Sequence, residues 1–280
     1  MASYAYRLVN VFTLGRNVLS GNPLCVFERA QSLDAARMQA LALQFNLSET
    51  TFILPSEQAS ARVRIFTPEY EMPFAGHPTL GTAHVCRSLG LGGDRITLEM
   101  TAGVIPVRAA GDRWTLQAQV RGHRDVGEPR FNLASMLGLE KEDIAERPLW
   151  VDAGMEQLVV PLASEAAVRR VRVRADLLSQ MTSKDGKSMV YVFAPSGSAI
   201  LARFFFPVGS AALEDPATGS AAVNLGGWLI AMGRPLPCEF EISQGEYTGR
   251  SCSIRLRVDA QQQVFVSGEV IELGRGTINL

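Results

Sequence analysis

The segment "EMPFAGHPTLGTA" (71–83) has a counterpart half a chain away, "EDPATGSAAVNL", from residue 214. Aligned without a gap, Glu71 meets Glu214, Pro73 meets Pro216, Gly76 meets Gly219 and His77 meets Ser220. Upstream, "RIFTP" (64–68) matches "RFFFP" (203–207), which pairs Arg64 with Arg203 and Pro68 with Pro207; a short loop insertion absorbs the difference in spacing. Common order, residue types and half-chain spacing together point to an internal duplication, and so to a fold of two similar halves.

Each motif opens a helix. "PTLGTAHVCRSLG" and "SAAVNLGGWLIAMG" predict equivalent central helices over 78–90 and 220–233, closed by Gly90 and Gly233. Both carry small and apolar residues around most of the circumference, so each is buried on all sides and wrapped by strands. The pairs Gly76–His77 and Gly219–Ser220 then sit at helix N-termini, where unpaired N–H groups and the positive dipole end attract an anion. If the halves face each other, both ends converge on one carboxylate or phosphate. Either motif alone favours a plainer reading, a glycine-bearing strand-to-helix connection with no ligand.

Around these helices the chain is rich in short β-like runs. In the first half they are 6–12, 50–54, 61–66, 95–100, 104–109 and 113–119; in the second, 157–162, 188–194, 202–207, 252–258 and 263–273. Further helices are predicted over 34–46, with Ser32 as cap, and over 132–139, opened by Asn132. The polar stretch "VRGHRDVGEPRF" (120–131) is the linker candidate.

Composition removes several functional classes. A net charge of −1 provides no basic field for nucleic acid or an anionic membrane, and the run "VRRVRVRAD" reads as a solvated face. The longest uncharged stretch, 216–232, contains Pro, Asn and glycines and is short for a bilayer span of about 20 residues. The N-terminus lacks the pattern of a signal peptide. Cys25, Cys86, Cys238 and Cys252 follow no disulfide or zinc spacing and fit reduced thiols in the cytoplasm. His84 follows His77 by about two helical turns but reads as a core or surface histidine. No cofactor motif occurs.

Glu49, in "FNLSETTFIL", lies where a helix gives way to a strand. Its plain role is a cap or turn; in an enclosed cleft, desolvation makes it a usable proton donor and acceptor. Asp215 reads as a helix-capping residue, and His77 as an ordinary first-turn residue.

Together, "SGNPLCVF", "NLSETTF", "RIFTPEYEMPFAGHPTLGTA", "EDPATGSAA", "QGEYTGR" and "GRGTINL" resemble the phenazine-biosynthesis isomerase (PhzF-like) family, in family order over residues 20–280. The resemblance implies an α+β fold like that of diaminopimelate epimerase: two pseudo-symmetric halves, each a β-barrel wrapped around a central helix. The halves are expected at 1–120, with 270–280 returning to it as a strand, and at 121–280. By the same resemblance Glu49 is the acid/base that moves a proton between substrate carbons. His77 and Asp215 polarise and orient; Ser48, Gly76, Gly154, Gly219 and Ser220 bind the substrate. The expected activity is a cofactor-independent isomerisation of a small carboxylated substrate, in the phenazine branch trans-2,3-dihydro-3-hydroxyanthranilate. The expected protein is a cytoplasmic homodimer without nucleic-acid or membrane partners. The alternatives are an epimerase or racemase of a small amino or hydroxy acid, or a non-catalytic binding protein. The cysteine motifs of the epimerases are absent, which disfavours two-thiol racemisation.

Overall fold

The computed structural model describes residues 2–280. The chain forms two compact units, one of residues up to 117 together with 267–280, the other of 118–266. The first unit contains β1 (Ser3–Val11), β2 (Asn22–Phe27), α1 (Ala35–Phe45), β3 (Glu49–Leu54), β4 (Ala61–Phe66), β5 (Glu71–Met72), α2 (Gly76–Ser88), β6 (Arg95–Met100), β7 (Gly103–Ala110) and β8 (Arg113–Ala118). The second contains β9 (Gly122–Asp125), α3 (Arg130–Leu137), β10 (Leu149–Asp152), β11 (Glu156–Pro161), α4 (Glu165–Arg170), α5 (Ala175–Leu178), β12 (Val190–Ser196), β13 (Ala199–Val208), β14 (Ala211–Asp215), α6 (Gly219–Ala231), β15 (Cys238–Gln244) and β16 (Cys252–Val258). The long β17 (Val264–Asn279) starts in the second unit and ends in the first.

Strand pairing in the first unit runs β1·β2·β3·β4·β6·β7·β8·β17 and returns to β1, closing a barrel of eight strands. Closure leaves no exposed edge. The parallel pairs are β2·β3 and β4·β6, and β5 adds an antiparallel hairpin to β4. α2 packs against β1, β2, β3, β4, β6 and β7. The second unit repeats this scheme. β10·β11 is antiparallel, β11·β12 parallel, β12·β13 antiparallel, β13·β14 an antiparallel hairpin, β13·β15 parallel and β15·β16 antiparallel. α6 packs against β9, β10, β11 and β16.

α2 and α6 are each 13 residues long, and the spacing that carries Glu71 onto Glu214 carries both ends of one helix onto both ends of the other. They start at Gly76 and Gly219 themselves, slightly before the expected first residues. Gly90 (φ +74°) and Gly233 (φ +65°) lie past the ends in the left-handed region. There Leu91 N–H donates to the Cys86 carbonyl at 3.0 Å, and Arg234 N–H donates to Leu229 at 3.0 Å, the same helix-ending motif twice. Nearly every residue of both helices is buried.

Small residues in the central helices set how closely the barrel wall approaches. A Cβ on Gly227 would stand 2.7 Å from Val151 Cγ1 and 2.9 Å from Val120 Cγ1. Both neighbours are β-branched and rotationally stiff. Gly227→Ala gains up to about 1 kcal/mol of helix propensity, but overpacking costs about 1–3 kcal/mol. The clash is the larger effect, and a lowered urea midpoint with unchanged slope is the expected result.

The outside of each barrel carries its own core. α1 covers Phe27 and Phe52, stacked at 4.9 Å, with Phe45 edge-on to Phe27. α3, α4 and α5 cover Leu158, Val160, Val190 and Val192 of the second unit. The hairpins at β4·β5 and β13·β14 are each clamped by an arginine and a glutamate, Arg64 with Glu71 and Arg203 with Glu214, every guanidinium gripping both carboxylate oxygens. Arg64 also lies over Phe66 and Arg203 over Phe205. The matched Arg and Glu of the repeat therefore hold the turn together.

Some local expectations need correction. α1 is capped by Asp34, whose side chain accepts from Arg37 N–H, while Ser32 pairs instead with the Tyr4 hydroxyl. α3 starts at Arg130 behind Pro129, and Asn132 Nδ2 donates to Glu128 rather than opening the helix. The supposed linker holds β9, paired antiparallel with β10. Strands β2, β5, β10, β14 and β15 and helices α4 and α5 had no counterpart among the expected elements. The arginine run at 169–174 is largely neutralised, by Glu165, Glu246, Asp143 and Asp176. No described helix is long and apolar enough to cross a membrane.

Candidate active site

In the first unit, strand alternation aims Glu49 at the central helix. Thr51, two residues on, bonds Thr82 of α2 at 2.8 Å, whereas Phe52 faces outward to the α1 core. A period of two puts Glu49 on the face of Thr51. Its carboxylate Oε2 lies 3.4 Å from His77 Nδ1, at the first turn of α2, and the Glu49 side chain is 15% exposed. β2 lies parallel beside β3 with Leu24 opposite Glu49, which brings Pro23 close to the same ring.

His77 is almost wholly enclosed. Burial pushes its pKa down to about 3, with a weaker opposing interaction from the Pro23 carbonyl. The ring is therefore neutral at physiological pH, and its contact with Glu49 is that of an imidazole with a carboxyl group rather than an ion pair. Its Nε2 makes no hydrogen bond of normal geometry among the described residues. Beside it, the first N–H groups of α2 have no intrahelical acceptor. No side chain caps them, because Ala75 occupies the N-cap, and Pro78 contributes no donor.

The depressed pKa has a consequence for stability. The unfolded chain protonates this imidazole near pH 6.5 and the folded one only near pH 3. The contribution of neutral His77 is therefore complete above pH 6.5 and is lost as pH falls towards 3, by up to about 1.4 kcal/mol per pH unit. His77→Gln is expected to flatten that part of the stability profile. Urea midpoints of both proteins between pH 7 and pH 4 check it: parallel profiles would contradict the burial account.

In the second unit Asp215 ends β14, opposite Phe204 of β13. Its side chain accepts from Thr218 Oγ1 at 2.5 Å, and Gln244 Nε2 donates both to the Asp215 carbonyl (2.9 Å) and to Thr218 Oγ1 (3.1 Å). Gly245 makes this possible. It has φ +86°, and a Cβ there would meet the Arg250 and Pro216 carbonyl oxygens at 2.2 and 2.6 Å. Asp215 thus does not cap α6 with its side chain, and Thr218 at the N-cap makes no cap bond either. Ser220, in the first turn, accepts from Gln157 Nε2 at 3.0 Å.

Glu49, His77 and Gly76 thus come together in the first unit, and Asp215, Gly219 and Ser220 in the second. Ser48 is exposed just ahead of β3. Gly154 is exposed on the β10–β11 turn at φ +105°, its N–H donating to Asp152 Oδ1. His84 is a satisfied histidine that accepts from Trp114 Nε1 at 3.3 Å. Gln157, Asn224 and Gln244 escaped the sequence reading; for Asn224 a signal was available, since a carboxamide in an otherwise apolar helix needs buried partners. Thiol chemistry finds no support: burial raises the Cys25 thiol and pushes Cys86 up to about 12.

Comparison with known proteins places this geometry. The family model described as "Phenazine biosynthesis-like protein" (PhzC-PhzF) matches residues 9–276. An uncharacterized isomerase of Pasteurella multocida is 36% identical, covering 99% of this chain and 95% of that protein. The trans-2,3-dihydro-3-hydroxyanthranilate isomerase of Pseudomonas aeruginosa is 34% identical, covering 95% of each. Among solved structures, a PhzF-family phenazine biosynthesis protein of Bacillus anthracis superposes with TM-score 0.87 over 100% of both chains at 22% identity. A hydroxyproline epimerase of Agrobacterium vitis, at 12% identity, shares the fold with TM-score 0.67 over 99% of this chain and 93% of that one. With the repeated barrel-and-helix halves and the family's motifs in place, the chain belongs to the phenazine biosynthesis-like (PhzC–PhzF) family of isomerases.

Proposed function

We propose that the protein is a cofactor-independent isomerase that shifts a proton between two carbons of a small carboxylated substrate, with Glu49 as the shuttle. The observation that carries the reading is the Glu49 carboxylate, 3.4 Å from a buried imidazole at an uncapped helix start. A neutral His77 adds no positive charge, so it orients Glu49 and can donate or accept a hydrogen bond at the substrate. Glu49 takes a carbon-bound proton, the electron pair shifts along the substrate, and the same carboxyl group returns the proton to a second carbon. Asp215, held by Thr218 and Gln244, polarises the substrate. In the first unit the N–H groups at Gly76–His77 can receive a carboxylate oxygen, and in the second those at Gly219–Ser220 can do the same; Ser48 and Gly154 line the substrate's path.

The substrate class of the proposal follows the named relatives: trans-2,3-dihydro-3-hydroxyanthranilate or a related carboxylated ring. A cytoplasmic homodimer belongs to the same proposal. The purified protein is to be incubated with that compound and, separately, with the enantiomers of proline, hydroxyproline and small amino acids. Isomerisation of the ring compound without racemisation is the expected result. Racemisation of an amino acid would replace this reading with the epimerase one.

A further inference from the structure

Ser220 and Asn224 are four residues apart and so share a face of α6. Gln157, on the α6-facing side of β11, lies across from both. Its neighbours Leu158 and Val160 turn the other way, into the outer core. Asn224 and Gln157 are essentially unexposed. Asn224 Nδ2 donates to the Met155 carbonyl at 3.0 Å and to Gln157 Oε1 at 2.8 Å, and Gln157 Nε2 donates to Ser220 Oγ at 3.0 Å.

The direction of this chain of bonds is fixed from one end. A backbone carbonyl only accepts, so Asn224 must present its NH2 to Met155, and the second proton of that NH2 goes to Gln157. Gln157 must therefore present its oxygen to Asn224 and its NH2 to Ser220. Ser220 Oγ accepts from Gln157 and makes no other hydrogen bond among the described residues. Its own proton is left over.

We infer that Gln157 and Asn224 are positioning residues that lock the Ser220 hydroxyl as an outward donor, so that this end of the site selects a hydrogen-bond acceptor such as a carboxylate oxygen. The inference deepens the isomerase reading above and rests on it for the identity of the ligand. It also separates the two halves of the repeat. At the spacing that carries Glu71 onto Glu214, the counterpart of Asn224 is Gly81, packed against Leu24 and Val11, and that of Ser220 is His77. The relay exists in one half only, while the other offers an imidazole.

Neutron diffraction from deuterated crystals reads the lock directly. The expected map places the Nδ2 deuterons of Asn224 on Met155 O and Gln157 Oε1, and the Ser220 deuteron away from Gln157. A Ser220 deuteron directed at Gln157 overturns the inference. Benzoate, a bare carboxylate probe, supplies the functional arm by isothermal titration of full-length protein. Ser220→Ala is expected to weaken benzoate about 10-fold, as for loss of a hydrogen bond to a charged group. Gln157→Met weakens it less, and the effect of Gln157→Met vanishes in the Ser220→Ala background. Additive losses, or no benzoate binding by the unmodified protein, overturn the inference. Neither arm involves turnover, so failure of the proton-shuttle reading would show separately, in Glu49→Gln kinetics.

Discussion

Glu49→Gln is expected to lower turnover by about 100- to 10,000-fold, the range that positioned acid–base catalysis contributes. The amide keeps the size and shape of the carboxylate and stays beside His77 Nδ1, so substrate binding is expected within a few-fold of wild type. A fall in kcat with KM nearly unchanged is the signature of a group that works on the proton rather than on binding. Because Glu49 is the first residue of β3 and the amide matches the carboxylate in size, the substitution leaves the barrel register intact. Its melting temperature serves as the control. Turnover within a few-fold of wild type would remove Glu49 from the mechanism.

The second large effect concerns stability. Arg203 and Glu214 are 6% and 12% exposed, and Arg203 Nη1 also donates to the carbonyls of Val168 and Val171. Glu214→Ala leaves an enclosed guanidinium without its counter-charge, which costs about 3–5 kcal/mol. The equivalent pair in the first unit, Arg64 and Glu71, is 22% and 34% exposed. There water takes over part of the role of the lost carboxylate, and Glu71→Ala costs about 1 kcal/mol or less. The same substitution at equivalent places of one repeat is thus expected to differ severalfold in effect. Chemical denaturation of both variants tests it, and equal losses would contradict the burial argument.

The contrast between the pairs shows what the sequence could and could not reveal. The duplication was legible because two short segments must each provide a turn, a helix start and a helix apolar on every side. Those demands leave dense, matched residues such as Gly76 and Gly219. Short strands recur around those helices, and the α+β class itself came with the resemblance to the PhzF-like family. Strands β2 and β15 were harder: "NPLCVF" opens with Asn-Pro and keeps only the short apolar run LCVF, and "CEFEISQ" is interrupted by two glutamates that lie on its exposed side. Several polar residues lie near the start of α1 and of α3, and the backbone path alone decides that Asp34 rather than Ser32 caps the first and that Pro129 rather than Asn132 precedes the second.

Within the candidate site, Glu49, His77, Asp215 and the glycine turns lie in contiguous motifs and could be named from them. Their partners could not. Gln157 reaches Ser220 from β11, Gln244 reaches Asp215 from β15, and Pro23 reaches His77 from β2. These contacts exist only once parallel pairs such as β2·β3 and β13·β15 are formed, and no local spacing encodes them. The neutrality of His77 is likewise a property of the closed barrel, since it arises from burial.

In the proposed mechanism one carboxyl group, that of Glu49, carries a proton from carbon to carbon. It is tested most directly with trans-2,3-dihydro-3-hydroxyanthranilate deuterated at the proton-donating carbon, in single turnovers read by mass spectrometry and NMR. A primary isotope effect is expected in the wild-type protein, with part of the deuterium at the receiving carbon, and neither transfer nor product on the same timescale in Glu49→Gln. Product formation without an isotope effect, or deuterium transfer undiminished in Glu49→Gln, would contradict it.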